Sequence, residues 1–226
     1  MKYLCYSLLF VLYGSCGAPA AMEIVDKPIV FDELREQMTL AYLSERYGLQ
    51  QDSPTIVPKM IVLHWTAFPT LEQSFGAFEP STLPNWRPDI ANISGLNVSS
   101  HFLVDQDGTI YRLMPENIMA RHVIGLNHCA IGIENVGGTE EVPLTDAQLR
   151  SNSWLVTYLA SKYDIDYLIG HYEYTNFEGH ALWLEKDDGY RTQKTDPGET
   201  FLDEVKKATE QLNFKPTPVS HKSKQR

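Results

Sequence analysis

Three short apolar runs constrain this chain most, because each has the length of a buried strand and each ends on a polar side chain. Met60-Ile61-Val62-Leu63 stops at His64, Ala130-Ile131-Gly132-Ile133 at Glu134, and Tyr167-Leu168-Ile169, followed by Gly170, at His171. Runs this short, bounded by polar residues, predict strands rather than helices. A further β-rich pair, 101–104 and 109–113, flanks Asp105-Gln106-Asp107-Gly108. Asp-Gly between two such runs predicts a hairpin. Elsewhere the period changes. Phe31, Leu34, Met38, Ala41 and Tyr42 recur at helical spacing, with Gly48 placed to stop that helix. Thr145-Asp146-Ala147-Gln148 has the form of a capping box and opens a helix to about Tyr163. Phe201, Val205, Ala208 and Leu212 mark a last amphipathic helix. The polar, proline-containing stretch 78–97 predicts a long surface loop. Strands interleaved with helices give a mixed α/β class, a central mixed sheet flanked by helices.

The two ends read differently from the middle. Lys2 precedes an apolar run, 8–13, and then small residues, 14–21, the layout of a secretory signal. The run is too short to span a bilayer. Two cuts fit. One follows Ala18-Pro19-Ala20 and leaves a soluble protein. The other precedes Cys16, where Leu12-Tyr13-Gly14-Ser15-Cys16 resembles a bacterial lipoprotein signal, and a lipid on Cys16 would tether the chain to a membrane. Either cut removes Cys5 and leaves Cys129 without an internal disulfide partner. The expected domain runs over 22–212, and 213–226 is expected to be a disordered basic tail. The net charge is −10, and the four basic residues of the tail leave 15 basic against 29 acidic residues elsewhere. A body this acidic repels phosphate backbones, which argues against nucleic acid as a partner.

Several reactive signatures are absent: G-x-S-x-G, S-x-x-K, H-E-x-x-H, the P-loop and C-x-x-C. Polar residues at strand ends remain. Two imidazoles, His64 and His171, with the carboxylate of Asp196 would make a catalytic zinc set that leaves a fourth position for water. The chain has 7 histidines, so composition alone cannot select these two.

Sequence context selects them. Six stretches carry a resemblance, in order: 61–67, 98–104, 107–111, 127–135, 169–171 and 194–198. Together they resemble the zinc-dependent N-acetylmuramoyl-L-alanine amidases of the type-2 amidase family, whose fold peptidoglycan recognition proteins share. Val98-Ser99-Ser100-His101-Phe102 and the N-terminal signal look most like the envelope lipoprotein branch. The resemblance implies one Zn2+ per chain on His64, His171 and Asp196. It implies Glu134 as general base, Lys194 as oxyanion stabiliser, and His122 and Asn127 as substrate contacts. The implied reaction is hydrolysis of the amide between N-acetylmuramic acid and L-alanine in peptidoglycan or muropeptides. The implied protein is an exported, periplasmic monomer, anchored to the outer membrane if Cys16 carries lipid.

Residue geometry is compatible with these roles. In extended backbone, residues two apart point the same way, so Lys194 and Asp196 can face one site. Along 130–134, Ile131 and Ile133 share the core face; Ala130 and Gly132 share the other with Glu134 and are expected to leave room for substrate. Between His171 and Asp196 lie 172–193, longer than the family's usual connection and predicted to be an inserted loop that lines the cleft. It holds His180, a rival ligand, but His171 follows a buried strand and a glycine and is preferred. Glu173 is a rival base. His101 is expected to pack in the core, and Trp65, Phe68, Phe75, Phe78 and Trp86 either pack there or form stacking walls. Two alternatives stay open: a non-catalytic peptidoglycan-binding module of the same fold, and a thiol peptidase built on Cys129. The second is weakened because His128 and Cys129 are adjacent and point to opposite sides of an extended segment.

Overall fold

β2 (Met60–Leu63) runs between β5 (Ala130–Asn135) and β6 (Tyr167–Gly170), parallel to both, in the computed structural model, which describes residues 22–219. The expected export signal with Cys16 and the last residues of the tail lie outside that range. Beyond β5 come β3 (Phe102–Val104), β4 (Ile110–Arg112) and β1 (Ile24–Asp26), giving the order β1-β4-β3-β5-β2-β6. β3 and β4 are antiparallel and form the expected hairpin; the other pairs are parallel, so the sheet is mixed. β1 has only three residues, too few for its alternation to register in the sequence.

Alternation sorts the strand side chains between two layers. Ile61, Leu63, Ile131, Ile133 and Leu168 pack against Leu155, Val156 and Leu159 of α4 (Asp146–Lys162) and Leu202 and Val205 of α5 (Glu199–Ala208). Met60, Val62, Ala130 and Ile169 face the other way, under Val123, Leu126, Tyr174 and Phe177. Burial of each such aliphatic side chain stabilises the fold by roughly 1.5–3 kcal/mol. α4 opens as predicted, with Thr145 Oγ1 accepting from the Gln148 amide and Gln148 Oε1 from the Thr145 amide. No helix of the described residues is long and apolar enough to cross a membrane.

Three expectations need correction. The first helix forms as α1 (Glu33–Tyr42), continues as a π-type turn, Leu43–Tyr47, and stops at Gly48 with φ of +73°. Its buried face, however, carries Arg35, Thr39 and Tyr42, while Phe31 and Leu34 are exposed. The reason is polar. The Arg35 guanidinium donates to the carbonyls of Phe78, Glu79 and Pro80, satisfying the C-terminal end of α2 (Leu71–Phe78). The loop 78–97 is pinned more than expected: it carries a helical turn, α3 (Pro88–Ala91), and closes through Leu83 N to Gly95 O and Asn97 N to Ser81 O. In the first part of the expected disordered tail, residues 214–217 contact the domain. Phe214 packs on the α4–α5 core, the Lys215 amide donates to the Asp166 carbonyl, and Thr217 Oγ1 donates to Glu173.

The stretch 172–193 is anchored across the molecule. A 3-10 turn, His171–Phe177, buries Tyr174 and Phe177, and Arg46 pairs with Glu185 at 2.6 Å. The Trp183 indole lies against Gly125, where a Cβ would sit 2.7 Å from the ring and φ is +80°. Only glycine fits both conditions.

Candidate metal centre and active site

The three polar strand ends meet because the strands are in register. Leu63 lies opposite Ile133 on β5 and Gly170 on β6, so the next residues, His64, Glu134 and His171, emerge side by side at the carboxyl end of three adjacent parallel strands. Open α/β sheets place ligands at this edge. The ladder continues through His64, whose amide donates to Ile133 O and whose carbonyl accepts from the Asn135 amide and Asn135 Nδ2. Asn152 of α4 in turn donates to Asn135 Oδ1 at 2.7 Å. The His64 backbone is therefore tied to a helix on the far side of the sheet, a support the sequence did not signal.

Asp196 reaches the same point from the loop before α5. His64 Nδ1 and His171 Nδ1 are 2.9 Å apart, and Asp196 Oδ2 lies 3.1 Å from the first and 2.9 Å from the second. All three residues are buried. A tetrahedral zinc with bonds of about 2.0–2.1 Å has ligand edges of about 3.3 Å, so this donor set fits with small movements. Two imidazole lone pairs and a carboxylate oxygen aimed at one point also suit a cation better than each other. Burial pushes His171 down to about 4, which keeps the ring neutral as ligation requires. Burial would raise the Asp196 carboxyl, but the two histidines outweigh it and hold it well below the usual range.

Glu134 stands beside this set. Its Oε2 is buried with no hydrogen-bond partner among the described residues, and burial pushes the carboxyl up to about 7. His64, Arg87 and Lys194 pull it down while Asp196 pushes it up. Such a group is poised to exchange a proton near neutral pH. Lys194 lines the same open cleft of about 250 Å³, together with Trp65, Phe68, Arg87, Tyr190 and Thr192. Next to two of the lining residues, Trp86 is 55% exposed, edge-on to Phe68 at 6.0 Å, with the Arg87 guanidinium 4.5 Å from its ring centroid. Trp65 and Phe68 thus line the cleft; Phe78 packs in the core as expected and also reaches the cleft, and Trp86 packs on Phe68 and Arg87 outside the lining.

The other sequence candidates divide. His101 packs as expected, fully buried, its ring bonded to Ile118 O and to the Gly132 amide. His180 lies away from the triad, near Tyr167 and Phe177, and Glu173 caps the Gly170 amide. Cys129 points at the Leu126 carbonyl and does not line the cleft; burial pushes its thiol up to about 12, the wrong direction for a nucleophile. His122 and Asn127, the expected substrate contacts, both line the cleft, and their polar side-chain atoms also have partners within the chain. Asn127 Oδ1 accepts from the amides of His122 and Val123, and its Nδ2 donates to Tyr47 Oη. The His122 ring faces His64 Nε2 at 3.0 Å and the Ala130 carbonyl at 3.2 Å. The space above Gly132, expected to admit substrate, is filled by that ring: a Cβ there would sit 2.9 Å from His122 Cγ and Nδ1 and from Ser100 Oγ. No pattern in the sequence singles out Arg87, a lone basic residue in the polar loop 78–97.

A mixed sheet whose carboxyl edge gathers a two-histidine, one-aspartate donor set and a buried carboxylic acid has the make-up of an amide hydrolase. The family model described as N-acetylmuramoyl-L-alanine amidase matches residues 50–199, and the chain belongs to that family of enzymes, which act on peptidoglycan or muropeptides. It is similar to the 1,6-anhydro-N-acetylmuramyl-L-alanine amidase AmpD of Citrobacter freundii, with 30% identity over 172 residues, 70% of this chain and 82% of the relative. It is also similar to peptidoglycan recognition protein 3 of Mus musculus, at 34% over 102 residues; that match spans 42% of this chain and 28% of the mouse protein. Among solved structures, the endolysine N-acetylmuramoyl-L-alanine amidase LysCS from Clostridium intestinale URNW matches with a TM-score of 0.50 at 26% identity, covering 87% of this chain and 100% of that one. The fold is the peptidoglycan recognition protein-like one expected from the sequence.

Proposed function

We propose that this protein hydrolyses the amide between the lactyl group of N-acetylmuramic acid and L-alanine, using one zinc ion on His64, His171 and Asp196. The observation that carries this reading is the convergence of those three ligand atoms within 3.1 Å, beside the unpartnered Oε2 of Glu134. Bound zinc would lower the pKa of a water from about 15.7 towards about 7 and polarise the scissile carbonyl. Glu134 takes a proton from the attacking water on Oε2 and delivers it to the departing amine. The Lys194 ammonium donates to the carbonyl oxygen as negative charge develops there, a contribution of about 3 kcal/mol for a well-placed donor. Arg87 sets a second cation in the cleft, suited to a carboxylate on the wall peptide. A non-catalytic module would lack a ligand or the base, and this chain has both. The N-terminal signal supports export to the periplasm, soluble or tethered through a lipid on Cys16, and the acting unit is a monomer.

The test is digestion of peptidoglycan by the purified protein with its metal content measured in parallel. We expect about one zinc per chain, release of free wall peptide with a new L-alanine amino terminus, and loss of both on chelation. Undiminished cleavage by protein shown to be metal-free would refute the proposal.

A further inference from the structure

We infer that Arg87 is a specificity residue: it makes the cleft favour wall peptides whose second residue bears a free carboxylate over those that carry a carboxamide there. This selectivity rests on the amidase reading for its substrate and adds which peptide is bound and cleaved best. The cleft is charged against the grain of the molecule. The chain as a whole carries −10, yet three basic side chains, Arg87, Arg121 and Lys194, line a cleft that holds two carboxylates among the described residues, Glu134 and Asp196. Asp196 is taken up by His64 and His171. A bound anion restores the balance. The sugar of a muramoyl peptide is neutral once its lactyl carboxyl is amidated, so the anion comes from the peptide.

Arg87 is the cation without a partner. Its Nε is buried and unbonded, and its guanidinium forms no ion pair among the described residues. Burial and the nearby Arg121 charge both work against the cation, and Glu134 supports it. Arg121 is committed elsewhere: it donates to the carbonyls of Ser94 and Leu96 and to Tyr190 Oη. An unpaired guanidinium offers a carboxylate two parallel N–H bonds. Thr192 adds a donor to the same cleft. Its Oγ1 is buried with no partner among the described residues, and Tyr174 Oη holds its amide and its carbonyl at 2.8 Å each. A carboxamide would turn its own NH2 donors towards these donors and lose at least one bond. Arg87 and Glu134 are close enough to act on each other's charge, which puts the bound group beside the scissile amide. One extended residue spans about 3.3 Å, so the residue after L-alanine is the one in reach.

The experiment titrates N-acetylmuramoyl-L-alanyl-D-glutamate and N-acetylmuramoyl-L-alanyl-D-isoglutamine, calorimetrically and with zinc supplied, into the full chain carrying Glu134→Gln, and follows cleavage of both by wild type. The glutamate peptide should bind about tenfold or more tighter and be cleaved with the lower KM, kcat differing little. Adding Arg87→Gln should bring the two affinities within about twofold. Arg87→Lys keeps the charge but not the fork and should retain part of the preference. Equal affinities, no binding of either peptide, or a preference that survives Arg87→Gln overturns the inference. The comparison of the two peptides decides even where an Arg87 variant fails to fold. Carboxylate-selective binding with no cleavage of either peptide by wild type would instead refute the amidase reading and leave the subsite standing.

Discussion

The cleft has two walls of different construction. One is the end of the sheet: His64, Glu134 and His171 stand on three strands fixed by a continuous ladder, and Asp196 joins the two histidines within 3.1 Å. The other is the loop side, where Phe68 and Arg87 line the cleft and Trp86 packs on them through a ring edge and a cation–π contact, more than half in solvent. The difference separates two tasks. Chemistry needs groups placed to within a fraction of an ångström, which a sheet provides. Recognition of a large, varied polymer tolerates movement, and loops supply it.

If that contrast is right, damage to the sheet wall costs catalysis and damage to the loop wall costs only binding. The largest effect is expected at Glu134. Glu134→Gln should lower kcat by about 10²–10⁴-fold with zinc content unchanged, measured by peptide release and metal analysis. The same residue sets the sign of the pH dependence. Glu134 must be ionised to take a proton, and burial pushes it up to about 7, so wild-type activity should fall as pH drops below that value. A bound cation favours the carboxylate and moves this acid limb lower. The residual activity of Glu134→Gln should lack the limb; a limb that persists would assign the base elsewhere.

An intermediate effect belongs to Gly132→Ala. The added Cβ would sit 2.9 Å from the His122 ring. Thermal or urea unfolding should show a loss of about 1–3 kcal/mol, and zinc affinity should fall with it. The smallest effect is expected on the loop wall. Trp86→Ala should leave stability within about 0.5 kcal/mol and kcat nearly unchanged, while raising KM for wall fragments. An equal fall in kcat would show that the loop takes part in the chemistry and erase the contrast.

The same two walls mark how far the sequence could be read. The sheet wall was legible because apolar runs ending in His64, Glu134 and His171 have a fixed period, and the family resemblance chose Asp196 and Lys194 among many acids and bases. Period also assigned the opposite faces of β5 correctly. It failed on α1, where Phe31 and Leu34 have the right spacing but Arg35 takes the buried face, because carbonyls at the end of a distant helix need donors. Such demands arise only once the chain is folded. The partners of His122 and Asn127, and the cation at Arg87, depend likewise on contacts across tens of residues. Small residues in a strand promise space but do not say who fills it; above Gly132 the occupant is an imidazole rather than a ligand.

Register carries one last consequence. A slip of β5 by a single residue would present Ile133 or Asn135 where Glu134 now stands, and turn the acid towards the helices. There is no graded distortion between those arrangements. Heated or aged preparations should therefore be mixtures of fully competent and dead molecules, and specific activity should count the surviving fraction rather than report enzymes that have each grown slower.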